Sequence, residues 1–194
     1  CTCLASMLKQ YEGLTVITNS LSAAEALVDS KCMVHVAGGQ LNSLNLSFEG
    51  YQTTSFLGTI KVELAFMGTT GFDQHNGPTT ISFLDTQAKQ TILHNSKTKI
   101  VLTDSSKAET TAFSQYATWQ EMDYLISDTN LPEETIKKFG AQSNAHIRIL
   151  PELDYHVEEI YGINIIILST HVAADGKLDI HANLISDNGH IHND

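Results

Sequence analysis

The apolar positions of this chain fall into short runs that alternate between helical and strand periods. LASMLKQYE sets Leu4, Met7 and Leu8 at helical spacing and ends near Gly13, which predicts an opening helix. LTVIT (14–18) is a β-branched run that reads as a strand, and SLSAAEALV follows as a helix with Ser20 as its cap. The alternation continues with strand CMVHVAGG (32–39), a weakly helical stretch at 50–58, and strand VELAFMG (62–68), stopped by Gly68 and Gly71. FDQHNGPTT (72–80) reads as a loop, with turn chemistry at Asn76-Gly77-Pro78. SFLDTQAKQTILHN then carries Leu84, Ala88 and Ile92 on one helix face. KIVLTD and MDYLISD (122–128) read as strands, and AHIRIL (145–150) closes the series. Between them, LPEETIKKFG starts at Pro132 and ends at Gly140, as helix polarity favours.

Repeated strand–helix units with short apolar strands predict an α/β fold, a mostly parallel sheet with flanking helices. Residues 151–194 break the rhythm. There GINIIILST is apolar, KLDIHANL alternates strictly, and Asp175-Gly176 lies between them, which predicts a C-terminal β-hairpin. The expected organisation is a main domain over 1–150 and an extension over 151–194.

Composition narrows the function classes. A 42% hydrophobic fraction with three prolines in 194 residues argues for a folded chain. The longest aliphatic run, Ile165-Ile166-Ile167-Leu168, is too short to cross a bilayer, so no membrane partner is expected. Cys1, Cys3 and Cys32 form no paired CxxC arrangement, which points to thiols in a reducing cytoplasm. The net charge is −11, and residues 108–194 hold 14 acids against four Lys and Arg. A chain without a basic stripe is not expected to bind nucleic acid by itself. The nine histidines, His181, His190 and His192 among them, fit no metal-ligand spacing, and neither a metal nor a cofactor is expected. GxGxxG, GxxxxGK[ST] and GxSxG are all absent.

Candidate chemistry gathers where the strands end. In an open α/β sheet, ligands sit beyond the carboxyl ends of strands, where loop amides and helix N-termini converge. Four polar or glycine-rich tips occur there: Thr18-Asn19-Ser20, Gly38-Gly39, Gly68-Thr69-Thr70-Gly71 and Asp104-Ser105-Ser106-Lys107. Each alone reads equally as a turn. Together they offer glycine backbone for close approach, hydroxyl donors, and the ammonium of Lys107 for an anion. Asp85 and Lys89 stand four apart on a helix, either as an exposed ion pair or with Lys89 sent towards an anionic ligand.

As an ordered set, TVITNSLSAAEAL, VHVAGGQLNSLNLSFEG, VELAFMGTTGFDQHNG, DTQAKQTIL and IVLTDSSK resemble the effector-sensing domain of DeoR-type bacterial transcription regulators, over roughly residues 1–150. The resemblance implies a sensor domain similar to ribose-5-phosphate isomerase, answering to phosphorylated sugars and working as a homo-oligomer. Carried over residue by residue, it assigns effector binding to Thr18 and Asn19, to Gly38 and Gly39, to Lys89 in an acidic-then-lysine motif with Asp85, and to Asp104, Ser106 and Lys107; the glycine-rich tip adds Gly71 to the expected contacts. It assigns no catalytic residue. It also implies a phosphate loop and a helix-turn-helix before Cys1, so DNA would be met only through that preceding domain. The chain departs from the family where Ala108-Glu109 stand in place of an aromatic residue and glycine, and where Asp85 replaces a Glu.

The leading expectation is a non-enzymatic sugar-phosphate sensor belonging to a repressor of sugar metabolism genes. An aldose–ketose phosphate isomerase is the alternative, with Asp104 and Lys107, or Glu63 and Lys89, as base and cation. A ligand-free interaction module is a third reading.

Overall fold

The computed structural model describes residues 1–142, 146–150 and 164–168. Along the chain run α1 (Thr2–Leu8), β1 (Thr15–Thr18), α2 (Leu21–Ala26), β2 (Met33–Val36), β3 (Gln40–Asn42), β4 (Ser47–Glu49) and α3 (Tyr51–Gly58). There follow β5 (Val62–Gly68), β6 (Gly71–Asp73), β7 (Gly77–Thr80), α4 (Phe83–Asn95), β8 (Ser96–Leu102), β9 (Ser114–Gln115) and β10 (Tyr124–Asp128). Helix α5 (Glu133–Gln142) and strands β11 (His146–Leu150) and β12 (Asn164–Leu168) complete the order.

Seven strands form one sheet in the order β11-β10-β8-β5-β12-β1-β2, and every pairing in it is parallel. The carboxyl ends of all seven therefore lie along one edge. Side chains alternate across the strands, and the two faces feed two cores. Ile17, Ala65, Met67, Val101 and Leu125 pack with Leu57 of α3 and Ala88, Ile92 and Leu93 of α4. Val16, Leu64, Phe66, Ile100, Leu102 and Ile126 pack with Leu4, Ala5 and Leu8 of α1 and Ala23 and Leu27 of α2. The α/β expectation holds, with helices on both faces of a parallel sheet.

Three expectations change in detail. The 72–80 stretch is an antiparallel hairpin, β6 against β7, extended by β9, rather than a loop. Asn76-Gly77 does turn the chain, with Gly77 at φ +72°, but Pro78 and Thr79 continue as a buried strand. On α4 the buried face runs through Asp85, Ala88, Lys89 and Ile92, while Leu84 is exposed. Apolar spacing misses this face because its upper half buries a polar pair. Finally, 164–168 of the expected hairpin is a central strand, parallel to β1 on one side and β5 on the other. The Asp175-Gly176 turn and the KLDIHANL arm lie outside the described residues.

Candidate functional site

The β1 tip turns sharply because Thr18 Oγ1 accepts from the Ser20 amide at 3.0 Å, and Ser20 then caps α2 by accepting from Ala23 N. Asn19, fully buried, is clamped to β4: its Nδ2 donates to the Phe48 carbonyl at 3.0 Å and its carbonyl accepts from Phe48 N at 2.7 Å. Its Oδ1 has no partner among the described residues.

The next residue on β4, Glu49, is the hub of a buried polar network. Its carboxylate accepts from Asn42, Asn45 and Ser47, which folds the β3–β4 hairpin around it, and from Ser82 Oγ at 3.1 Å. Ser82 in turn caps α4 by accepting from Asp85 N. Asp85 Oδ2 accepts from Thr80 Oγ1 at 2.7 Å and pairs with Lys89 at 3.0 Å, leaving Oδ1 unpartnered among the described residues.

Lys89 is wholly buried. Its ammonium meets Asp85, donates to the Gly68 carbonyl at the β5 tip at 2.8 Å, and lies 4.7 Å from the centre of the Tyr116 ring. Tyr116 O–H donates to the same carbonyl at 3.1 Å. Burial pulls the Lys89 ammonium below its ordinary value of 10.5, while Asp85 and, more weakly, Glu49 oppose that shift. The Asp85–Lys89 pair is thus an internal tie between α4 and the β5 tip rather than an exposed helix pair.

The two glycine tips differ. A Cβ on Gly39 would lie 2.3 Å from Thr53 Oγ1 and 2.6 Å from the Glu49 carbonyl, so glycine is needed there for close packing. A Cβ on Gly38 would meet open space, and the Gly38 carbonyl accepts from Thr53 Oγ1 at 2.8 Å. Gly71 packs against Thr110, whose carbonyl would be 2.7 Å from an added Cβ.

Beyond β8 the chain makes a single 3₁₀ turn at Ser105–Lys107. Asp104 caps it by accepting from Ser106 N at 3.0 Å and from the Ser106 hydroxyl. Asp128 at the β10 tip accepts from Ser105 N at 3.0 Å and from Asn130 N at 2.8 Å. Burial works to raise the Asp128 carboxyl, but these backbone donors outweigh it and hold it below its ordinary 3.8. Lys107, half-buried on this turn, forms no ion pair among the described residues. Glu109 has φ +55°, a left-handed conformation that favours glycine. It stands where the resembled family carries glycine.

All nine expected site residues therefore lie at or just beyond the carboxyl edge of the sheet. Glu63 and Lys89 do not converge: Glu63 is near the start of β5 and Lys89 at its end, about 16 Å apart by strand rise. Glu49, Thr80, Tyr116, Ser127 and Asp128 were not singled out by sequence reasoning; the polar end of MDYLISD was the one available signal. Among the described residues no cluster of His, Cys, Asp or Glu is placed to hold a metal, and no helix is long and apolar enough to cross a membrane. His181, His190 and His192 lie outside the described residues.

Residues 1–129 match the family model described as the DeoR C terminal sensor domain. The chain is similar to the uncharacterized HTH-type transcriptional regulator YulB of Bacillus subtilis, 34% identical over 69% of this chain and 52% of that protein. The HTH-type transcriptional repressor GlcR of the same organism is 34% identical over 62% of this chain and 46% of its own length. The glycerol-3-phosphate regulon repressor of Escherichia coli is 24% identical over 66% and 52%. The chain spans about half the length of these curated relatives. By its match over residues 1–129 and its shared identity with these regulators, the chain belongs to the DeoR family and carries that family's C-terminal sensor domain.

Proposed function

We propose that this chain is the sugar-phosphate-sensing part of a DeoR-type transcription regulator, a repressor of sugar metabolism genes. The effector binds along the carboxyl edge of the sheet, and the phosphate meets Lys107. The observation that carries this reading is the Asp104–Lys107 turn. Two carboxylates, Asp104 and Asp128, hold its backbone, yet the Lys107 ammonium is left without an ion pair among the described residues. A cation beside a strand tip, carried on a 3₁₀ turn, suits a phosphate monoester.

The role is regulatory and not catalytic. Of the two carboxylates that could serve as base, Asp104 is turned onto the Ser106 amide and hydroxyl, and Glu63 stands at the far end of β5 from Lys89. Binding acts by favouring one of two arrangements of a homo-oligomer, which alters how a preceding helix-turn-helix meets DNA. The names of relatives support the sugar connection: one of them is a glycerol-3-phosphate regulon repressor.

Thermal unfolding in the presence of a panel of sugar monophosphates tests the reading. A ligand at one hundred times its Kd stabilises by about 2.7 kcal/mol, which raises Tm by roughly 5–10 °C for a chain of this size. An unmoved Tm across the panel would sink the proposal. Conversion of an aldose phosphate to its ketose by the same preparation would replace it with the isomerase.

A further inference from the structure

Among the described residues, three buried polar atoms at the carboxyl edge have no hydrogen-bond partner: Asn19 Oδ1, Asp85 Oδ1 and Ser127 Oγ; a fourth, Thr2 Oγ1, lies in α1. Buried polar atoms without partners are rare in folded proteins and call for an explanation. The donation from Asn19 Nδ2 to the Phe48 carbonyl fixes which way that amide points, so its free atom is the oxygen. The free atom of Asp85 is likewise an acceptor. Behind both sits Glu49, joined to Asp85 through Ser82. Two buried carboxylates and one ammonium leave a negative surplus at this end of the edge.

Ser127 belongs to the other end. Strands β1 and β10 are four positions apart in the sheet, about 19 Å, so no single monosaccharide touches both tips. The tips of β5, where Lys89 ties down α4, and β10, where Asp128 holds the Lys107 turn, are two positions apart, about 10 Å. That distance is comparable with the reach of an extended sugar phosphate.

From this arrangement we infer that the site is polar along its length. Resting on the sugar-phosphate reading above, the phosphate lies at the Lys107 and Ser127 end. The hydroxyl-bearing end of the sugar donates to Asp85 Oδ1, beside the β5 tip. Asp85 is then a specificity-determining contact that selects a neutral, hydroxylated end and rejects a second anion. A carboxylate oxygen without a donor, backed by a second carboxylate, attracts O–H groups and repels phosphate or carboxylate. Because Asp85 Oδ1 is closed to solvent, the incoming hydroxyl must displace a covering group.

Calorimetric titration of the 194-residue chain with two sets of probes tests this. The first set is glucose 6-phosphate, fructose 6-phosphate and ribose 5-phosphate, which end in hydroxyls. The second is fructose 1,6-bisphosphate, 6-phosphogluconate and inorganic phosphate, which add an anion or lack the sugar. At least one probe of the first set should bind tenfold or more tightly than every probe of the second. Asp85→Asn should narrow that gap if the variant folds, and the probe comparison on the unaltered chain stands without it. Binding of a doubly anionic probe, or of inorganic phosphate, as tightly as any hydroxyl-ended one would overturn the inference while leaving sugar-phosphate sensing intact. Silence from all six probes would remove both.

Discussion

Lys89 shows how much a single residue can decide. A lysine with no exposed surface has traded water for Asp85, the Gly68 carbonyl and the face of Tyr116. Removing one member of such a pair strands the other charge, which destabilises by roughly 3–5 kcal/mol. Lys89→Met should therefore lower stability by that amount in denaturant unfolding, and adding Asp85→Leu should recover a substantial part of it. A single variant as stable as the parent would refute the tie. Glu109 makes the opposite case. Its left-handed backbone disfavours any residue with a Cβ, and its carboxylate accepts a long 3.5 Å hydrogen bond from Thr135 Oγ1. Glu109→Gly should thus be neutral or stabilising by up to about 1 kcal/mol, a sign that thermal unfolding reads directly.

Asp128 adds a pH dependence at the same turn. Its folded carboxyl titrates below the ordinary 3.8, so its stabilising effect is present above that value and is lost as pH falls through the lowered one. The stability difference between the parent and Asp128→Ala should be constant near neutrality and shrink below about pH 4. A difference that grows in acid would contradict the assignment.

At the scale of elements, strand tips that look alike in sequence prove to have distinct duties. Gly38 and Gly39 read as one glycine pair, yet one faces open space and the other is pressed against Thr53 and Glu49. Gly38→Ala should be tolerated, whereas Gly39→Ala should loosen the β3–β4 hairpin against α3. Faster amide exchange at residues 40–49 in the second variant alone would report it. The regular elements were legible because period and caps agree: VELAFMG coincides with β5, and Ser20 caps α2 as its position predicts. The β6–β7 hairpin was not, because Asn76-Gly77-Pro78 signals a turn without saying whether the flanks pair. Nor was the buried face of α4, since hydrophobic spacing cannot register a core position filled by an ion pair.

Over the whole molecule, the parallel sheet was foreseeable from the strand–helix rhythm, and the placement of its polar tips on one edge follows from that parallelism. Sequence did not reveal the network that links those tips. Glu49, the Ser82–Lys89 stretch and Tyr116 are far apart along the chain and meet only once β4, α4 and β5 are packed. The position of 164–168 was equally hidden, because an apolar run of that length suits a hairpin arm as well as a central strand.

The central claim is that Lys107 contacts the phosphate of a sugar-phosphate effector. Its most direct test is calorimetric titration of one sugar monophosphate into the parent chain and into Lys107→Ala, with thermal unfolding of both run alongside. Loss of one charge-assisted contact should weaken binding by about tenfold or more, while Tm without ligand stays within about 2 °C. Equal affinity in the two folded proteins would contradict the account and return the Asp104–Lys107 turn to an ordinary surface feature.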